Sequence, residues 1–352
     1  MLQLARAALW LCSSAFLGLW CSCSLSGWSK RLAIHLNREV NTDGMKVNAQ
    51  NHLPPMLATV AAAELNAPRP AAAAAGGAAP AAVPAEAERH HPALLQLLAA
   101  ELGCGVEEIA DFELQLCDVQ PACLGGAFQE FVLSGRLDNL ASCYTSLRAF
   151  LDASTPESLQ GESCVRMVAH FDHEEVGSAS AQGAASPVML DAMRRVAASL
   201  AGGEAEAVER SIRASFLVSA DMAHGLHPNY ADKHEPQHQP KIGGGLTVKH
   251  NANQRYATDA VSAFLFRELG RQAGVPVQEF VTRSDCACGS TIGPIIAAAS
   301  GMRAVDVGAP MLAMHSIRET CGVDDVTHAI KHFTALYTGF SKLNAQLSVD
   351  KA

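Results

Sequence analysis

Aromatic residues make up only 5% of this 352-residue chain, and basic residues are outnumbered, with 26 Lys and Arg against 35 Asp and Glu for a net charge of −9. Phosphate binding needs concentrated Lys and Arg, so the missing basic stripe argues against nucleic acid as a partner. A membrane span takes ~20 apolar residues, and the apolar stretch from Ala7 to Trp20 behind Arg6 is shorter than that. Residues 1–31 resemble a signal peptide or short anchor, and three readings stay open: a cleaved targeting segment, a buried helix, or a stretch foreign to the mature protein. A membrane partner is expected only if that segment is a real anchor. The 11 Cys are too irregularly spaced for a disulfide framework, and Cys286-Ala-Cys288 lacks the two-residue gap of common zinc or redox pairs. They read as reduced core thiols. The glycine run in KIGGGLTVKH has no Gly-Lys-Ser/Thr ending, which removes a phosphate loop.

What is present is abundant Ala, a soluble-enzyme composition and enough length for about two domains. Residues 32–40 read as a strand or extended loop, and 53–65 as a helix. The Ala/Pro/Gly stretch 66–88 reads as a flexible insertion, too Pro-broken for a helix and too poor in large apolar groups for a core. From 90 to 103 apolar residues recur at helical spacing behind the polar His90 and His91, with Gly103 as the stop. From about 131 helices and strands alternate: helix 137–154, strand 164–172, helix 186–202, a strand ending at Asp221, then helix, strand, helix and strand from 257 to 311. Such alternation predicts an α/β fold, a mostly parallel sheet flanked by helices, with a second, smaller domain.

That architecture gives the acidic residues meaning, because ligands of open α/β sheets sit beyond the carboxyl ends of the strands. HFDHEEVGSASAQGA sets Asp172, Glu174 and Glu175 around His173, and Asp221, Asp285 and His315 also follow predicted strands. One such acid is most often a helix cap or a solvated loop residue. Several converging with His point to metal, since zinc accepts imidazole nitrogen and carboxylate oxygen, and two-metal hydrolases hold their ions roughly 3.5–4 Å apart. The candidate ligands are Asp138, Glu175, Asp221 and His315, with Glu174 as general base. Consecutive strand residues face opposite ways, so using Glu174 and Glu175 together requires a kinked loop, which the following Val-Gly-Ser permits.

RLDNL, DHEEVGSASAQGA, SADMAHGLHPNYADKHEPQHQP, VKHNANQRYA, CGSTIGPIIA and LAMHSIRE, in that order, closely resemble the aspartyl aminopeptidase family of dinuclear-zinc exopeptidases. The likeness runs from about Leu32 to near the C-terminus, with the Ala-rich insertion as the main difference. It implies a zinc-exopeptidase-like catalytic domain over 131–352, incomplete at its start, and part of an inserted oligomerisation domain over 32–130. It also implies a metalloaminopeptidase that removes N-terminal Asp or Glu from peptides, with two Zn2+ per subunit, in a homo-oligomer of dodecamer type. By the resemblance Asp138 looks like the carboxylate bridging both zincs, Glu174 the general base, and Glu175 and Asp221 terminal ligands on different zincs. His315 resembles the ligand on the zinc shared with Glu175. His224, Lys249 and Tyr256 resemble substrate contacts, and His35 a residue reaching a neighbouring subunit's site.

Without the resemblance, His224 and His227 read as loop-capping residues, Lys249 as a solvated surface residue, His35 as a core histidine and Tyr256 as packing. The family's His-Thr-Asp-Ser-Pro motif, whose His ligates the zinc shared with Asp221, is not found, so one zinc site is expected to be a His short. The alternative is a catalytically impaired member or fragment that binds peptide or co-assembles with full-length subunits. A cytoplasmic location is expected, or an organelle or secretory route if residues 1–31 direct one.

Overall fold

The computed structural model describes residues 28–29, 40–44, 46–52, 54–59, 89–202, 204 and 206–348. The apolar run from Ala7 to Trp20, His35 and the insertion at 66–88 lie outside the described residues. The chain divides into two compact units, 1–119 and 120–352.

In the first unit β1 (Trp28–Ser29) pairs antiparallel with β2 (Pro55–Met56). The helix expected over 53–65 is therefore not formed in its described part, since residues 54–59 are extended or irregular. Pro54-Pro55 accounts for this: a proline pushes the residue before it out of the helical region. α1 (Pro92–Leu102) follows its sequence signals. Proline opens its first turn, the His91 side chain accepts the Ala93 N–H, and Gly103 ends it at φ 66° with its own N–H on Ala99 O. Leu95 and Leu98 are buried, and Leu98 and Ala99 pack with Ile109 in a small core.

The second unit contains two sheets. The first has the order β3 (Cys123–Gly125), β4 (Phe131–Ser134), β11 (Glu319–Gly322), β10 (Pro310–Leu312), β6 (Ala223–His224). The second has the order β5 (Phe216–Ala220), β9 (Arg303–Gly308), β7 (Leu246–His250), β8 (Val277–Val281). The α/β class holds, and the pairing within it is mixed: β5/β9, β7/β8 and β6/β10 are parallel, whereas β7/β9 and the remaining pairs of the first sheet are antiparallel. Pairing of β3 with β4 puts Cys123–Gly125 in this second unit, upstream of residue 131.

β9 is buried from Ala304 to Gly308, an interior strand whose buried residues are small or apolar apart from Asp306. Around it the helices are α2 (Leu137–Ala153), α3 (Val188–Leu200), α4 (Ala207–Ala214), α5 (Ala260–Gln272), α6 (Ile292–Ser300) and α7 (Val323–Gln346). Asp259 caps α5 through the Ser262 N–H at 2.7 Å. Phe266 of α5 and Phe333 of α7 pack with Val305 and Val307 in one core, and Leu190, Ile212 and Ile296 from α3, α4 and α6 with Met302 in another. Full burial of each large side chain stabilises by roughly 1.5–3 kcal/mol.

The strand expected over 164–172 does not form. Residues 165–170 have no regular structure, and Val165 and Met167 are exposed. An apolar run reads as a strand from periodicity alone, whereas a strand also needs a ladder partner, and none of the described residues supplies one. No helix among the described residues is long and apolar enough to cross a membrane.

Candidate metal centre

The local sequence fixes how each acidic side chain is presented. Asp138 stands at the head of α2 with φ −80° and ψ 108°, outside helical geometry. Its neighbour Asn139 donates a side-chain N–H to Ala220 O at 2.7 Å, at the end of β5. Asp221 follows Ala220, so this one bond sets Asp138 and Asp221 side by side, and their carboxyl groups are hydrogen-bonded to each other.

Burial, and after it the Asp221 charge, push the Asp138 carboxyl up to about 9. For Asp221 burial works in the same direction, but the Lys249 ammonium, with the hydrogen bond from Asp138, overcomes it and holds the carboxyl below the usual range. At neutral pH the pair therefore holds one proton. Two adjacent buried carboxylates repel unless something positive lies between them.

Glu174 and Glu175 lie in one 3-10 turn, Glu174–Val176, rather than in a strand. His173 enters the turn at φ 59° and Gly177 leaves it at φ 104°, a backbone value that favours glycine. The kinked loop expected from Val-Gly-Ser is thus present. Burial, then Asp221 and Glu175, raise the Glu174 carboxyl above its ordinary value. His315, just beyond β10 at φ 64°, places Nε2 3.0 Å from both Asp138 Oδ2 and Glu175 Oε1. Ligand atoms of Asp138, Glu175 and His315 lie within 4.8 Å of one another, the one such group among the described residues.

Lys249 is 2% exposed, so it is not a solvated surface residue. Its Nζ donates to Met222 O at 3.1 Å and Asp221 Oδ2 at 3.3 Å, and sits 5.0 Å from the centre of the Tyr256 ring. Those partners replace the water that a buried ammonium loses. Burial of Tyr256, with a hydrogen bond to Cys288, raises its phenol. Burial and the nearby Lys249 keep the His224 imidazole below its ordinary value, hence neutral at pH 7.

Asp138, Glu174, Glu175, Asp221, His224, Lys249, Tyr256 and His315 all line one open cavity of about 730 Å³. Asp172 and Asp285, which also follow predicted strands, do not line it: Asp172 accepts the His173 N–H and Asp285 takes the Arg283 guanidinium at 2.6 Å. Thr291, Cys286 and Cys288 also line the cavity, and no acid–base pattern singled them out.

Asp306 was missed as well. It is fully buried in β9 and accepts the Ala257 N–H at 2.6 Å and the Thr291 hydroxyl at 2.5 Å, tying the Tyr256 loop to the cavity wall. The signal was a lone acid within the apolar strand RAVDVG, where charge is costly unless partnered.

An α/β unit that gathers carboxylates, imidazole and lysine around one cavity has the make-up of a metallohydrolase. The chain belongs to the M18 family, described as aminopeptidase I zinc metalloprotease, whose model matches residues 30–337. It is 54% identical over 327 residues to a probable aspartyl aminopeptidase of Ricinus communis, covering 91% of this chain and 66% of that protein. It is 43% identical over 330 residues to the aspartyl aminopeptidase of Dictyostelium discoideum, covering 89% and 66%. The Ape4 chain of an Ape4–Nbr1 cryo-EM complex superposes with a TM-score of 0.81 at 40% identity, over 91% of this chain and 59% of that one. A Saccharomyces mApe1 dodecamer superposes at 0.65 with 28% identity, over 73% and 58%. The chain thus spans about two thirds of the length of the curated relatives it matches.

Proposed function

We propose that this site removes N-terminal Asp or Glu from peptides by zinc-dependent hydrolysis; the similar proteins are named aspartyl aminopeptidases and the family is described as a zinc metalloprotease. The observation that carries the reading is the meeting of Asp138, Glu175 and His315, with Asp221 and Glu174 alongside. Three carboxylates and an imidazole are a zinc donor set, and a cation suits the place where Asp138 and Asp221 now share a proton. Asp138, Glu175 and His315 would hold one ion, and Asp138 with Asp221 a second. When bound, zinc supplies Lewis-acid chemistry: it polarises a scissile carbonyl and makes an attacking water more acidic.

The chain's own residues do the rest. Glu174, with its raised pKa, takes the proton from the attacking water and returns it to the leaving amine. Lys249 uses two of its three N–H donors on Asp221 and Met222, which leaves the third for an acidic substrate side chain. His224 and Tyr256 line the same cavity and hold the substrate. The proposal extends to a homo-oligomer, the state solved for the Saccharomyces relative.

The test is hydrolysis of Asp- and Glu-initiated peptides by the purified chain with zinc, with Glu174→Gln as comparison. Loss of at least about 100-fold in rate is expected for the variant. A soluble, zinc-loaded chain that cleaves neither peptide, or a Gln variant as fast as the parent, refutes the reading.

A further inference from the structure

We infer that Glu319 is a positioning residue that sets the distance between two of the metal-ligating segments, an inference that rests on the roles proposed above for Asp138 and His315. Glu319 opens β11, opposite Ser134 of β4, and is 2% exposed. A carboxylate that deeply buried is costly unless hydrogen-bonded. Its oxygens are divided between two segments: Oε2 accepts the Asp138 backbone N–H at 3.0 Å, and Oε1 accepts the His315 backbone N–H at 2.7 Å.

Asp138 lies 181 residues from Glu319 in sequence, so no local element holds these segments together. Both backbones also need holding. Asp138 departs from helical geometry within α2, and His315 carries a side chain at φ 64°, a conformation that disfavours side chains. On the other side the same two residues meet through His315 Nε2 and Asp138 Oδ2 at 3.0 Å. Glu319 therefore closes a ring of contacts: carboxylate to both backbones, and the two side chains to each other. A single rigid carboxylate bridging both amides presets the spacing at which Asp138 and His315 approach a shared cation, an arrangement in which outer residues orient the ligands themselves.

The test uses the full chain with Glu319→Gln, which keeps size and shape but turns an NH2 group toward one of the two amides. Two measurements are made. Hydrogen exchange on the metal-free chain reads the clamp directly: exchange at the peptides containing Asp138 and His315 should speed up about tenfold or more, with little change around α5. Zinc affinity, by competition with a chromophoric chelator, should fall roughly 10–100-fold. Glu319→Asp, one methylene shorter, should release one of the two peptides and keep the other, which separates loss of the bridge from loss of the fold. Unchanged exchange at both peptides, or unchanged zinc affinity in Glu319→Gln, overturns the inference. Absence of peptide cleavage by the parent chain overturns the proposed function instead, and leaves the exchange result to judge Glu319.

Discussion

Uptake of a cation by this site should expel a proton, and the structure sets the size of the effect. Asp138 is pushed up to about 9 by burial and by Asp221, so at pH 7 the pair holds the shared proton. A divalent ion entering between the carboxylates displaces it, so about one proton is released for each ion that takes this place. Apparent affinity should rise with pH above 7, by up to about tenfold per pH unit, and level off once the shared proton is lost. The sign for stability follows from the same shift. A carboxyl raised in the folded state stabilises the metal-free fold below its unfolded value, and that stabilisation is lost as pH rises through about 9. Bound metal should flatten the dependence. Titration calorimetry with zinc at pH 7, in two buffers of different ionisation enthalpy, counts the protons directly. Heats that do not depend on the buffer would refute the shared proton and with it this account of the pair. Asp138→Asn, which cannot hold that acidic proton, should lose both the release and most of the affinity.

Other outcomes follow from single buried groups. His332 of α7 is fully buried, stacks on Phe266 at 3.9 Å and bonds Phe266 O through Nε2 at 2.8 Å, and burial lowers its imidazole to about 4. Its contribution is present above about pH 6.5 and is lost as pH falls towards 4, up to roughly 3 kcal/mol, so urea unfolding at pH 7 and 4.5 should show a slope that His332→Gln reduces. Asp325 is buried and accepts the Gly243 and Gly245 N–H groups at 2.7 and 2.9 Å. Asp325→Ala should destabilise by roughly 3 kcal/mol in chemical denaturation, and a change below about 1 kcal/mol contradicts the role of those bonds. Lys249→Met should remove most of the preference for Asp over Ala at the peptide N-terminus and lower kcat/KM on Asp peptides at least about 100-fold; an unaltered preference measured with both peptides would show that another group reads the acid.

Several helices were legible in the sequence because their determinants lie within a few residues of one another, although α4 and α7 were not read. The spacing from Pro92 to Leu102 and Gly103 as its stop act locally, and both are found as read. Asp138, Glu174, Glu175, Asp221 and His315 were singled out from the sequence, and the fold brings all five to one cavity. What depended on distant partners was not legible. The segment 164–172 has strand-like composition but no ladder among the described residues, and β7 runs antiparallel to β9 within a sheet expected to be mostly parallel. Sequence composition reports which groups are available and which local turns they favour. Tertiary structure alone decided that Asp138 and Asp221 share a proton, that Lys249 is buried against Asp221, and that Asp306 and Glu319 serve loops remote in sequence. The physical reason is that burial and charge proximity, which set those properties, arise only when segments from all along the chain pack together.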